Sequence, residues 1–186
     1  MKKLLIGSVL GLSILIGGCA TKENIVIGEN DKCMVNKELA PQWVCMGQED
    51  DNFYYESGSA EFSKAGFGFT KKIAMADARA NLSHRIKTTV KDKVTMYAAS
   101  IGMSKNETVD KVNEHVSKQV ASSILVNSSA VSLWRSKNRM FVLVKASKSS
   151  VAKETVKEVK SSFYSEDSKW QALRSEEGLK KLEEEF

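Results

Sequence analysis

The chain has 186 residues, a formal net charge of +5 and 42% hydrophobic residues. Two of its lysines sit in the first three positions, so the rest carries only a weak positive excess, spread among acids. That excludes a nucleic-acid partner held by bulk charge, and it fits one globular body able to bury roughly 70% of its unfolded surface.

The first nineteen residues read MKKLLIGSVLGLSILIGGC. Lys2 and Lys3 precede an apolar run from Leu4 to Ile16, and Gly17-Gly18-Cys19 follows. The run is shorter than the ~20 apolar residues that span a bilayer. It has the anatomy of a secretory signal, with small residues that let a peptidase take the backbone extended. Residues 1–18 are expected to leave as a signal peptide, exposing the Cys19 thiol for acylation with palmitate-type chains. The alternative is an ordinary signal with an incidental cysteine. The pattern resembles the lipobox of bacterial lipoproteins. One acyl chain binds marginally, at ~0.8 kcal/mol per buried methylene, and two or more anchor stably. Ala20, where Asp would favour inner-membrane retention, resembles the outer-membrane sort.

Residues 19–32 read as a polar lipid tether, with a possible edge strand over Ile25-Val26-Ile27. With Cys19 given to lipid, Cys33 and Cys45 remain as an even pair in an oxidising compartment. A disulfide between them would contribute about 3 kcal/mol; two reduced thiols or a metal pair are the alternatives. The spacing matches no zinc knuckle, and His84 and His115 lie on separate charged helices. Pro41 biases Ala40 to extended backbone and leads Trp43 onto the body, where it packs or lines an aromatic box. Glu49, Asp50 and Asp51 form a solvated turn lacking the alternating ligands of a calcium loop.

Residues 53–62 (FYYESGSAEF) read as a first strand, with Gly58 marking a bulge or a close backbone approach. A Gly-punctuated loop over 63–69 follows, with Phe67 and Phe69 in the core or on a contact surface. The glycines there make no phosphate-cradle motif. A long helix is expected from Thr70, acting as cap, to about Gly102, burying Met75, Ala78, Leu82, Ile86, Val90, Val94 and Tyr97. Ser104 to Glu107 forms a capping box for a second helix with Val109, Val112, Val116, Val120 and Ile124 on one stripe. A β-hairpin is expected over 129–147, turning at Ser136 to Arg139, with Asn138 able to take a left-handed conformation. A third helix capped by Ser149 or Ser150 buries Ala152, Val156, Val159 and Phe163. After a polar break at 165–168, a C-terminal segment carrying Trp170, Leu173, Leu182 and Phe186 is weakly amphipathic and interrupted at Gly178. It packs on the body or meets a partner.

The expected fold is therefore α+β. It has a three-stranded antiparallel sheet, a long helical hairpin between strands one and two, and a helix after strand three. The domain spans 33–164, with 165–186 appended. No nucleophile–base motif, G-x-S-x-G elbow or H-E-x-x-H is visible, so neither catalysis nor a cofactor or small-molecule substrate is expected.

Several short stretches resemble one family: Ala40-Pro41-Gln42-Trp43-Val44, Gly58-x-Ala60, Ala74-x-Ala76-x-Ala78-Arg79-x-Asn81-Leu82 with Ile86-Lys87, and Phe141-Val142-Leu143-Val144. That family is the 20-kDa outer-membrane lipoproteins typified by antigens of epsilon-proteobacteria. The likeness covers roughly residues 40–160. It implies a dodecin-like fold, no catalysis, and for some relatives rings or disks at the flagellar motor. Cys33, Cys45 and the C-terminal segment depart from that pattern. Two roles follow: a lipid-tethered structural subunit that self-associates or meets an envelope protein, or a surface or periplasmic interaction module such as an adhesin or antigen.

Overall fold

The computed structural model describes residues 25–27, 32–103, 107–162, 171 and 174–186. Two three-stranded antiparallel sheets and five helices make up this part. The first sheet runs in the order β1 (Ile25–Ile27), β2 (Cys33–Val35), β3 (Glu38–Leu39), followed by the short helix α1 (Gln42–Met46). The main sheet has β4 (Phe53–Glu61) and β5 (Ser129–Arg135) on either side of β6 (Arg139–Ser147). Helices α2 (Phe67–Ser100) and α3 (Glu107–Val126) lie between β4 and β5 in sequence; α4 (Lys148–Ser161) and α5 (Glu176–Glu184) follow β6.

The register explains the two-sided burial of the main sheet. Gly58 pairs with Val142 and Ala60 with Met140, so even-numbered residues of β4 and β6 share one face. Met140, Val142, Val144 and Ala146 join the main core with the helices, while Phe141 packs with Cys33, Val35 and Ala40 on the opposite face. β6 is therefore buried on both sides. A central strand covered twice reads as a continuous apolar run, as 140–144 does.

Helix α2 buries Thr70, Ala74, Ala78, Leu82, Ile86, Val90 and Val94, one residue in every four. At 3.6 residues per turn such a stripe drifts around the helix by about 40° per step. The helix can thus lay its first half on the sheet and its second half against α3, where Asn113 Nδ2 donates to Thr95 Oγ1 at 2.8 Å. The buried member of the early stripe is Ala74, with Met75 half-buried beside it.

Several boundaries differ from the sequence expectation. Helix α2 begins at Phe67 rather than Thr70. Thr70 is buried in the first turn, where its Oγ1 donates to the Gly66 carbonyl and accepts from Ser63 N–H. The cap position is Gly66 at φ +97°, a conformation glycine adopts freely. Helix α4 is capped by Ser147, whose Oγ accepts from Ser150 N–H, so neither Ser149 nor Ser150 is the cap. Val151, Ala152, Thr155 and Val159 are its buried residues. Asn138 in the β5–β6 turn does not take positive φ; Ser136 Oγ accepts the N–H groups of Asn138 and Arg139 instead. Left-handed residues occur at Asn36 (φ +51°) and Lys37 (φ +70°), where β2 turns into β3 as two-residue hairpins require. Gly178 does not interrupt a helix: it is buried within α5, its N–H bonded to Ser175 Oγ at 3.0 Å. Leu179 and Leu182 join the main core and Phe186 packs against it, so α5 belongs to the body. Ser104, Phe163, residues 165–168, Trp170 and Leu173 lie outside the described residues.

Candidate interaction surfaces

Cys19 lies outside the described residues, and Cys33 and Cys45 form a disulfide with their Cα atoms 5.7 Å apart. The bond joins β2 to α1. Cys33 is buried with Val35 and Ala40 against Phe141, and Trp43, Val44, Cys45 and Trp134 surround them. Trp43 thus packs between the small module and the main sheet, not in an open aromatic box. The module is also tied at its tip, where Lys137 N–H donates to Glu38 Oε2 at 3.1 Å.

His84 and His115 are both exposed on α2 and α3, and among the described residues no three His, Cys, Asp or Glu side chains cluster as metal ligands. In the acidic turn, Asp50 Oδ1 accepts the N–H groups of Asn52 and Phe53, and Oδ2 accepts the Tyr55 hydroxyl at 2.6 Å. The Tyr55 bond, helped by the two backbone bonds, holds the Asp50 carboxyl below the usual carboxylate range against the opposing effect of burial. The same bond pushes the Tyr55 hydroxyl up. Burial alone raises Tyr54, with Arg85 opposing. These acids therefore order the entry to β4.

The two edges of the main sheet are treated differently. Along β4, Asp77 Oδ2 accepts Ser59 N–H at 2.8 Å. Asn81 Nδ2 donates to the Ser57 carbonyl at 2.8 Å, and Arg85 Nη1 donates to the Tyr55 carbonyl at 3.1 Å. Four helical residues rise about 6 Å, close to the ~6.6 Å of two strand residues. Positions i, i+4 and i+8 of α2 can therefore meet every second residue of an antiparallel strand. The helix supplies in side chains what a further strand would supply in backbone, and the β4 edge is closed. Arg85 also pairs with Glu49 and Glu56, at 3.0 and 3.3 Å.

Among the described residues, β5 has no such cover. The register with β6 shifts at Ala130/Ser132, leaving Val131 as an extra residue, and Val131 and Leu133 are exposed. Arg79 fixes the start of this strand, donating to Ser128 Oγ at 3.1 Å and to the Ser128 carbonyl. Among the described residues, no α2 side chain bonds to the backbone of β5 beyond Ser128. A short bulged edge is a partial guard against pairing, yet it is the accessible edge of the two. A second apolar surface lies at the start of α2, where Phe67, Phe69 and Ile73 are all exposed. The structure leaves both phenylalanines exposed and outside the core.

The geometry defines a class: a two-sheet α+β body with both faces of its central strand covered, one sheet edge sealed and, among the described residues, one open. Among the described residues no helix is long and apolar enough to cross a membrane. The sequence model of the LPP20 lipoprotein family matches residues 41–147, more than half the chain, and the chain belongs to that family. Comparison with curated proteins gives no significant match. The matched stretch runs from Pro41, before α1, to the end of β6, and stops short of the 160 suggested by the resemblance. It omits the β1–β3 sheet, α4 and α5.

The residues that carried the resemblance now have physical roles. Gly58 and Ala78 set the helix–strand distance, Arg79 ties α2 to Ser128, Asn81 closes the β4 edge and Leu82 fills the core. They specify a fold and its edge protection. Cys19, read from the sequence as an acylation site, lies outside both the matched stretch and the described residues.

Proposed function

We propose that this chain is an outer-membrane lipoprotein, held by acyl chains on Cys19, whose body serves a structural or assembly role in the cell envelope and is not catalytic. Family membership and the charge, apolar run and cysteine of residues 1–19 support the anchor. The observation that carries the assembly role is the asymmetry of the main sheet: α2 side chains seal β4, and β5 stays open. Pairing through β5 joins two copies about a two-fold axis and closes there. A ring or disk of the flagellar type needs another contact, and Phe67, Phe69 and Ile73 offer one. The same reading takes β4, the helical pair and the β5–β6 hairpin as the dodecin-like unit, in an epsilon-proteobacterial envelope.

Light scattering after size-exclusion chromatography of the purified lipoprotein, with cross-linking in intact membranes, tests this. A defined oligomer, and a motility defect in a deletion strain, is the expected result. A strict monomer at high concentration contradicts assembly. The same exposed phenylalanines favour the second reading, a surface or periplasmic interaction module, if that monomer captures one envelope protein in cross-linked membranes.

A further inference from the structure

In the small sheet Val26 pairs with Met34 and Met34 with Leu39. Directly paired residues share a face, so these three form one apolar row across all three strands. Their neighbours Cys33 and Val35 point the other way, into the cluster around Phe141. The row therefore lies on the outward face of the sheet. Val26 is 54% exposed and Leu39 65% exposed, and Met34 sits half-buried between them. An exposed apolar row on a sheet this small contributes little to folding and asks for a partner.

The sequence limits what that partner can be. Five residues, 20–24, separate Cys19 from Ile25. At the ~3.3–3.6 Å per residue of an extended chain, Ile25 can be no more than about 20 Å from Cys19. If Cys19 carries acyl chains, this sheet is the part of the body bound closest to the bilayer. Lys37, at the tip of the β2–β3 turn, and Lys32, before β2, are both exposed. Such side chains can lay aliphatic stems on apolar surface and keep their ammonium groups among headgroup phosphates.

We propose that the outward row Val26–Met34–Leu39 rests on the surface of the bilayer that holds the anchor, and so fixes which way the body faces. The inference rests on the reading of Cys19 as acylated. A row of three side chains is too small to hold a protein on a membrane alone; beside a covalent anchor it sets orientation. With the small sheet on the membrane, the tethered body has a fixed attitude and presents its other surfaces away from the lipid.

The test uses the native lipoprotein in phosphatidylcholine vesicles containing a phosphatidylcholine with a photoreactive diazirine acyl chain. After irradiation and digestion, mass spectrometry locates the lipid adducts, and intact mass reports acylation of Cys19. Adducts on the peptides carrying Met34 and Leu39, reduced severalfold in a Val26→Ser/Leu39→Ser variant, are expected. Both substituted residues are exposed, so the variant should keep its fold. An acylated protein with adducts only in residues 19–24, or on another surface, overturns the orientation and leaves the anchor standing. A protein without acyl mass overturns both.

Discussion

Gly58 of β4 and Ala78 of α2 lie in backbone contact. A Cβ built on Gly58 would collide with the Ala78 nitrogen, and would stand 2.6 Å from Ala78 Cα and 2.7 Å from the Asp77 carbonyl carbon. These are backbone atoms and cannot swing aside. The contact also sets the distance at which Asp77 and Asn81 reach Ser59 and Ser57. Gly58→Ala should therefore destabilise the fold by about 1–3 kcal/mol through overpacking. Urea unfolding checks this; an unchanged midpoint would contradict the close approach.

The edge seal can be tested separately. These edge bonds are solvent-exposed, so water can replace a lost partner and each costs about 0.5–1 kcal/mol. Asn81→Leu should lower stability by that order. The triple change Asp77→Ala/Asn81→Ala/Arg85→Ala should in addition raise self-association, because it frees the Ser59 N–H and the Ser57 and Tyr55 carbonyls. Light scattering against concentration reads this. A triple variant that associates no more than the parent would show that the β4 edge needs no seal.

Reduction of Cys33–Cys45 should loosen the small sheet. The cysteines are 12 residues apart in sequence, and closing a loop of that size is worth about 3 kcal/mol in the loop-entropy account. Thermal melts with and without reductant should show a lower Tm on reduction. Unfolding should begin in 33–46, read by the fluorescence of Trp43. Equal melts would contradict the stapling role.

Much of this architecture was legible in the sequence because periodicity encodes it. The fourfold repeat in α2, the valine stripe of α3 and the apolar run 140–144 gave the helical pair and the central strand. Gly58 was legible as a special position, but not which alternative it met: β4 keeps an unbroken register with β6, so it is an approach and not a bulge. The edge seal was invisible, since Asp77, Asn81 and Arg85 look like ordinary solvated residues until β4 is laid antiparallel beneath them. The start of α2 was missed because Gly66 caps it by backbone conformation, with no capping side chain to read. The edge strand read at Ile25-Val26-Ile27 within the tether is present as β1, but the separate small sheet it joins was not legible, because its strands of two or three residues are too short for a periodic signal.

The Asp50–Tyr55 bond predicts a particular pH dependence. Asp50 has its folded pKa lowered, so its contribution is present above the ordinary value near 3.9 and is lost as pH falls through the folded value. Tyr55 is raised, so its contribution is present below about 10 and is lost as pH climbs through its folded value. Asp50→Asn should lower stability at neutral pH and flatten both the acid limb below about pH 4 and the alkaline limb above about pH 10. Stability curves against pH for both chains check it; coincident limbs would contradict the coupling.

The anchor, and the orientation built on it, depend on the chemistry of Cys19. Intact-mass analysis of the protein purified from its native host tests it directly. The result expected is a processed chain beginning at Cys19 and heavier than the polypeptide by its acyl groups, with that added mass lost in Cys19→Ala. A mature chain bearing an unmodified amino terminus would contradict the anchor and the orientation built on it.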